Sequence, residues 1–143
     1  MDQIKERQEE IIEEFAMLDG NLEMTLDYIM DLGSELGSFP EEDRIEANIV
    51  KGCQSKVWMT AELENDRVQF RADSNTAITK GLVSLLVRVL NQSNPHDITS
   101  AEIYFPNQIG MNRFIGTQRS NGFSAMIKQM KMYALALTTK LES

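Results

Sequence analysis

The chain has 143 residues, of which 42% are hydrophobic and 25% are charged. This balance is typical of a soluble globular protein, excludes wholesale disorder and a fibrous fold, and suits a single domain over 1–143. The formal net charge is −8, and residues 1–50 carry 15 Asp and Glu against 3 Lys and Arg. So acidic a front half argues against a nucleic-acid partner, because phosphate binding needs a basic face.

Hydropathy predicts no membrane partner. No apolar run approaches the roughly 18 residues that a bilayer span requires. The first residues, Met1 to Glu6, also lack the basic and then apolar layout of a signal peptide. We therefore expect a cytoplasmic protein.

The first third of the chain predicts two helices and a loop. Apolar residues recur at helical spacing from Asp2 to Leu18, where Asp19-Gly20 ends the pattern. Asn21 is placed to cap a second helix, which Gly37 and Pro40 close. Residues 38–54 are typical of a loop with one short helical turn.

A change of period after this loop predicts a β-hairpin. Val57, Met59, Ala61 and Leu63 alternate with polar or aromatic residues, and alternation resumes over residues 68–72. The link Asn65-Asp66 suits a tight turn between two antiparallel strands. Ser74 is then placed to cap a strongly apolar helix.

The remaining segments predict one more strand and further helices. Asn94-Pro95 is typical of a cap with proline at the first position of a short helix. Glu102 to Phe105 is predicted as a third strand, Ile109 to Phe114 as a short helix, and Ser120 to Leu137 as the last helix. The layout is α+β, with a small antiparallel three-stranded sheet packed against helices.

Cysteine and histidine counts constrain the chemistry most. The chain has one cysteine, Cys53, and one histidine, His96. A lone thiol cannot form an intramolecular disulfide, complete a structural zinc site or hold an iron–sulfur cluster. A catalytic Ser-His-Asp or Cys-His pair would have to use the single histidine. We therefore predict no metal site, no cofactor and no hydrolase activity.

Residues around Cys53 favour a reactive thiol. Gly52 permits an unusual backbone angle just before it, and Lys51 and Lys56 flank it with positive charge. Both features favour the thiolate over the thiol, starting from a pKa of about 8.5. The alternative is a buried, inert cysteine, although Cys53 precedes the alternating strand and does not belong to its apolar face.

The cysteine segment resembles the signature of a known family. Gly52-Cys53-Gln54-Ser55-Lys56-Val57-Trp58 is similar to the motif of the SufE family, the sulfur acceptors that work with group II cysteine desulfurases. Residues 72–81, 94–98 and 119–126 agree with three further stretches of that family, in the right order. The resemblance covers nearly the whole chain and implies a single SufE-like domain with a SufE/NifU-like fold.

The resemblance also implies a function. In this family a SufS-like desulfurase, which carries pyridoxal phosphate, strips sulfur from cysteine and holds it as a persulfide. Carried onto this chain, Cys53 accepts that sulfur, stimulates the desulfurase, and delivers the sulfur to the Suf scaffold complex for iron–sulfur cluster assembly. The chain is then a sulfur-transfer partner and activator, and the pyridoxal phosphate belongs to the desulfurase.

Four residues are candidate supports for the Cys53 persulfide. Gly52 shapes the bend, while Gln54 and Ser55 are placed to donate hydrogen bonds, although starting the strand explains both residues equally well. Arg119 lies where the family has an arginine before its last helix, and it could stabilise the persulfide anion or form a surface ion pair. We expect residues 48–54 to hold Cys53 against apolar surface at rest and to move it outward on the partner.

Three other functions stay open on the residues alone. A non-catalytic helical adaptor would tolerate Cys53→Ser without loss. A thiol redox sensor would keep a sulfenate or mixed disulfide on Cys53 under mild oxidation. An enzyme in its own right would turn over substrate without a partner.

Overall fold

The order of helices and strands follows the predicted layout closely. The computed structural model describes residues 2–142. Its elements are α1 (Asp2–Ala16), α2 (Leu22–Ser34), β1 (Val57–Glu64), β2 (Arg67–Ser74), α3 (Ala77–Leu90), α4 (Pro95–Ser100), α5 (Phe105–Gln108) and α6 (Met111–Glu142). Two 3₁₀ turns, Glu41–Asp43 and Glu46–Asn48, interrupt the loop before β1.

Two of the predicted helix caps are confirmed. The Asn21 side chain accepts a hydrogen bond from the Met24 N–H at the start of α2, and Asn94 accepts one from the His96 N–H at the start of α4. Each carboxamide satisfies a backbone donor that the first helical turn leaves without a partner. Helix α2 ends at Ser34, before the predicted stop at Gly37.

The β-hairpin is confirmed with the predicted turn. Strands β1 and β2 are antiparallel, with Val57 opposite Ser74 and Glu64 opposite Arg67. Asn65 and Asp66 have φ of 54° and 63°, the left-handed pair that a tight two-residue hairpin turn requires. One face is buried in the core through Val57, Met59, Val68, Phe70 and Ala72.

The predicted third strand at Glu102 to Phe105 is wrong. Within residues 2–142 the sheet has two strands, β1 and β2. The backbone of the segment pairs with a side chain: the buried Gln8 amide of α1 donates to the Glu102 carbonyl at 3.1 Å. Its Oε1 accepts from the N–H of Tyr104 at 2.8 Å and of Phe105 at 3.2 Å. One glutamine therefore supplies the partners that a neighbouring strand would have supplied.

The outer edge of β2 is covered by the turn after α3. The Val68 N–H donates to the Ser93 carbonyl at 2.9 Å, and the Gln92 N–H donates to the Val68 carbonyl at 2.8 Å. On the other side of the sheet, Ile49 forms an isolated bridge to Trp58 of β1. Short bridges therefore occupy part of each edge of the hairpin.

The predicted capping role of Ser74 is also wrong. Ser74 is the last residue of β2, and its hydroxyl donates to the Lys56 carbonyl at 2.8 Å. The N-cap position of α3 is Thr76, which makes no side-chain capping bond. Ser74 thus links β2 to the segment before β1.

Helix α6 begins earlier than predicted and contains one break. Its helical geometry is interrupted at Gly116, whose φ of 83° and ψ of 169° suit glycine. After the break, Phe123, Met126 and Met130 of the predicted apolar face are buried. They join buried residues of α1, α3 and the sheet in one hydrophobic core.

Candidate functional site

Cys53 lies in a short loop that leads into β1. The loop is closed by a hydrogen bond from the Val50 N–H to the Val57 carbonyl, at 2.8 Å. Gly52 has φ of 97°, a left-handed conformation that strains any side chain, so the prediction of an unusual backbone angle there is confirmed. The bend turns the thiol towards α6.

The thiol packs against the backbone of α6. The Cys53 Sγ donates a hydrogen bond to the Gly122 carbonyl at 3.4 Å. A Cβ built on Gly122 would lie 3.3 Å from Sγ, and one built on Gly52 would lie 3.1 Å from the Ala125 Cβ. Two neighbouring loop residues therefore rest on small residues one turn apart in α6.

A small pocket adjoins the sulfur. Its volume is about 90 Å³. Four residues predicted from the sequence line it, Cys53, Gln54, Ser55 and Arg119, together with Thr79, Leu82, Gln118, Gly122 and Met126. The fifth predicted residue, Gly52, is exposed beside the pocket and does not line it. Cys53 itself is partly buried and packs against the hydrophobic core, which agrees with the expectation that it is tucked against apolar surface at rest.

Ser55 joins the cysteine loop to the start of α3. Its oxygen accepts hydrogen bonds from the hydroxyls of Thr76 at 3.0 Å and of Thr79 at 3.3 Å. These two contacts tie Ser55, next but one to Cys53, to the first turn of α3. Gln54, in contrast, is exposed.

The second support of the loop is an exchange between Lys56 and Asn75. The Lys56 N–H donates to the Asn75 side-chain oxygen at 3.0 Å, and the Asn75 N–H donates to the Lys56 carbonyl at 3.2 Å. The downstream end of the cysteine loop is therefore fixed to the β2–α3 junction.

An arginine holds the chain upstream of the loop. The Arg44 guanidinium lies 5.2 Å from the centre of the Trp58 ring and 5.5 Å from that of Phe39. Its Nη2 is 2.5 Å from an oxygen of the buried Asp73, which sits opposite Trp58 in the hairpin. Lys80 lies 3.3 Å from the other oxygen. Trp58 therefore packs beneath Arg44, next to the loop that carries Cys53.

Burial dominates the electrostatics of the thiol. Removal from water raises the pKa of Cys53, because the thiolate loses solvation that the neutral thiol does not need. The prediction that the flanking residues favour the thiolate is wrong for this arrangement, since Lys51 and Lys56 are exposed. At neutral pH the resting side chain is the thiol, consistent with its hydrogen bond to the Gly122 carbonyl.

Arg119 is the cation on the rim of the pocket. Its side chain is exposed, and among the residues that the structure describes it has no hydrogen-bond or ion-pair partner. The guanidinium is therefore available to an anion formed in the pocket. Arg119 lines the same pocket as Cys53, and no ion pair of its side chain is found within residues 2–142. Its action on a persulfide stays a prediction.

Gly122 is the site residue whose role the sequence did not reveal. The available signal was a glycine within a strongly helical segment, because glycine there costs stability unless close packing requires it. Thr79 and Gln118 gave no such signal, because polar residues on a helix are ordinary.

Within residues 2–142, no group of three or more His, Cys, Asp and Glu side chains is arranged to hold a metal ion. Within the same described residues, no helix is long and apolar enough to cross a membrane.

Fold and site together define a small α+β protein with one sheltered thiol in a loop against a helix. The family model SufE, described as an Fe-S metabolism associated domain, matches residues 9–134. This chain therefore belongs to the SufE family, which is associated with Fe–S metabolism.

Curated relatives agree with this assignment. An uncharacterised SufE-like protein of Synechocystis is 38% identical over 104 residues, which are 73% of this chain and 65% of that protein. The match thus spans slightly less than two thirds of that relative's length. An uncharacterised SufE-like protein of Rhizobium meliloti is 31% identical over 131 residues, covering 88% of this chain and 93% of that protein.

A solved structure shares the fold. The solution structure of a hypothetical protein from Thermus thermophilus superposes with a TM-score of 0.76. The superposition covers 93% of this chain and 96% of that chain, at 17% sequence identity. This likeness supports the helical and hairpin architecture.

Proposed function

We propose that this protein is a sulfur acceptor and carrier that takes persulfide sulfur onto Cys53. The observation that carries the proposal is the placement of the chain's one thiol at a loop tip, half-buried beside a pocket of about 90 Å³. Because about 10–15 Å³ of such volume suffices for a water molecule, the pocket has room for one added sulfur atom.

The transfer step is a thiol exchange. Cys53 loses its proton, and the thiolate attacks the outer sulfur of a persulfide on the cysteine of a desulfurase. A new S–S bond forms on Cys53, the old S–S bond breaks, and the desulfurase cysteine leaves as a thiolate. The rate depends on the thiolate fraction of Cys53, the acidity of the leaving thiol and access to the sulfur.

The pocket residues suit a persulfide more than a thiol. A persulfide is more acidic than a thiol and is an anion at neutral pH, so the exposed Arg119 guanidinium is placed to attract it. The Ser55 hydroxyl lines the same pocket and can rotate to donate a neutral hydrogen bond. Gln54 also lines the pocket and adds a side-chain amide donor.

The partners we propose are those that the family resemblance implies. The donor is a group II, SufS-like cysteine desulfurase that holds its own pyridoxal phosphate, and the recipient is the Suf scaffold complex. This chain supplies the acceptor thiol and stimulates the desulfurase by removing its persulfide, and it does not act as an enzyme alone. Single-cysteine usage suits the role, because a second thiol nearby would attack the persulfide and release sulfide.

The deciding experiment weighs the protein after exposure to a loaded donor. The chain is mixed with a group II desulfurase and cysteine, and the intact mass is measured under non-reducing conditions. We expect the gain of one sulfur atom, located on the Cys53 peptide, together with faster desulfurase turnover. A Cys53→Ser variant should gain nothing.

A displaced thiol controls for unspecific transfer. In the double variant Cys53→Ser/Ser124→Cys, the thiol stands at an exposed position of α6 outside the pocket. We expect it to accept little sulfur and to leave desulfurase turnover unchanged. Wild-type protein that stays unmodified before a loaded desulfurase would end the proposal and favour an adaptor or a redox sensor.

A further inference from the structure

We propose that Gly122 is a positioning residue that seats Cys53 on α6 and keeps its sulfur protonated until a partner displaces the loop. The inference rests on the proposed function and concerns how the acceptor thiol is held between transfers. Two features of Gly122 support the inference: the absence of a side chain, which lets Cys53 pack close to the helix, and the carbonyl oxygen, which accepts a hydrogen bond from Sγ.

The absence of a side chain on Gly122 determines how closely the Cys53 loop can approach α6. A Cβ on Gly122 would lie 3.3 Å from the Cys53 Sγ, 3.6 Å from its Cα and 3.7 Å from its Cβ. Gly122 is buried and has helical geometry, where alanine would be the better helix former. Glycine is therefore unfavourable for the helix and favourable for the contact.

The carbonyl of Gly122 selects the protonation state. Sγ lies 3.4 Å from this oxygen and donates its proton to it. A thiolate in the same place has no proton to donate and faces the negative end of the carbonyl dipole. Desolvation acts in the same direction, since burial raises the pKa of Cys53.

The surrounding charges do not cancel this preference. Helix α6 contributes Arg119 at the pocket rim, and the loop itself contributes Lys51 and Lys56, all three of which are exposed to water. Helix α3 contributes Thr79 and Leu82, which are uncharged. The cations are therefore screened by solvent, whereas the carbonyl is in direct contact with the sulfur.

The contact with Gly122 makes the reactivity of the Cys53 thiol depend on the partner. While Cys53 rests on Gly122 the thiol reacts slowly with small electrophiles, oxidants and free thiols. A partner that lifts the loop removes both the carbonyl contact and the desolvation, and the pKa of the thiol falls. The acceptor then becomes nucleophilic where a persulfide is presented.

The test compares the rate of Cys53 alkylation by iodoacetamide in Gly122→Ala and in wild type from pH 6 to 10. The added methyl would stand 3.3 Å from Sγ, so the sulfur must shift by a few tenths of an ångström and its bond to the Gly122 carbonyl is weakened. We expect faster alkylation at neutral pH with a lower apparent pKa. A fall of one unit in that pKa raises the thiolate fraction about tenfold. Ser124→Ala, an exposed change on the same helix, should alkylate as wild type does.

A second variant covers the case in which Gly122→Ala does not fold. Ala125→Val adds two methyl groups where α6 faces Gly52 and so crowds the cysteine loop. The space there is small, since a Cβ on Gly52 would lie 3.1 Å from the Ala125 Cβ. We expect the same direction of change with a smaller size. Circular dichroism checks that each variant is folded.

Unchanged alkylation rate and pH profile in the folded variants would overturn the role of Gly122. The proposed function fails by a different result, a wild-type Cys53 that stays unmodified before a loaded desulfurase. If the wild-type protein accepts sulfur normally but Gly122→Ala does not change alkylation, the proposed function stands and the positioning role of Gly122 is refuted.

Discussion

Gly81 of α3 lies directly against the backbone of Ile29 in α2, so that a Cβ built on it would stand 2.0 Å from the Ile29 carbonyl oxygen. On the facing helix, a Cβ on Gly33 would stand 2.7 Å from the Gly81 nitrogen. The two helices thus come close together because Gly81 and Gly33 carry no side chain at the crossing.

Gly81→Ala is expected to lower the free energy of unfolding by about 3 kcal/mol, because the methyl meets a backbone atom that cannot turn away. Urea unfolding followed by circular dichroism measures the change. The matched control is Gly37→Ala, where a Cβ meets nothing within 4 Å and the expected change is within about 0.5 kcal/mol. Equal midpoints for the two variants would contradict the close crossing.

Gln8→Leu removes the side chain that satisfies the 102–105 segment. It leaves the Glu102 carbonyl and the N–H groups of Tyr104 and Phe105 without their partner. We expect a loss of about 3 kcal/mol in unfolding free energy, since each buried unsatisfied group costs roughly 1–3 kcal/mol.

Gln3→Leu, at an exposed position of the same helix, controls for the change of side chain. It should leave unfolding nearly unaffected. Faster amide exchange at Tyr104 and Phe105 in Gln8→Leu, and not in the control, would locate the effect. A neutral Gln8→Leu would mean that water replaces the carboxamide.

Asp73 should contribute stability that disappears in acid. Burial acts to raise the pKa of this carboxyl, but the Ser74 backbone N–H, Arg44 and Lys80 together hold it below its ordinary value. The carboxylate thus stabilises the fold above the unfolded-state pKa of about 3.9, and the contribution is lost as pH falls through the folded-state pKa.

The variant Asp73→Asn tests the direction of this pH dependence. At pH 7 the variant should be less stable than wild type by about 2 kcal/mol, and the gap should close as pH falls towards 2. Asp66→Asn, at a turn position whose φ of 63° asparagine also accepts, is the control. A gap that stays constant down to acid pH would assign the loss to packing and not to charge.

The Cys53 thiol predicts a decline in stability at alkaline pH. Its folded-state pKa is raised, so the unfolded chain releases the proton first as pH rises above about 8.5. Stability is therefore unaffected below that pH and falls from there towards the folded-state pKa. Because tyrosines and lysines titrate as well, the informative quantity is the difference between wild type and Cys53→Ser. That difference should favour Cys53→Ser progressively from pH 8 to 10, and a difference independent of pH would refute the raised pKa.

Local patterns predicted the local elements well. The hairpin followed from residue alternation and the Asn65-Asp66 turn, and the helix starts at Asn21 and Asn94 followed from their capping side chains, because these signals lie within a few residues of their effect. The strand at 102–105 was wrong because its backbone partner is Gln8, 94 residues away from Glu102.

For the candidate site too, local features were predicted and features that depend on the fold were not. The bend at Gly52 is local and was predicted, and the meeting of Arg119 with Cys53 came from the family resemblance. The pKa direction of Cys53 was wrong, because chain neighbours such as Lys51 are visible in the sequence while the desolvating surface of α6 is not. Gly122 was missed for that reason too: its role exists only once α6 lies beneath the loop.

The stack of Arg44 on Trp58 gives the protein an internal optical reporter. Trp58 is the chain's single tryptophan, and it forms a bridge with Ile49 just upstream of the cysteine loop. Its emission therefore arises from the Arg44 stack, free of any background from a second indole. When a partner that lacks tryptophan binds, a shift or quench in that emission will report rearrangement of this stack in real time, without any attached dye.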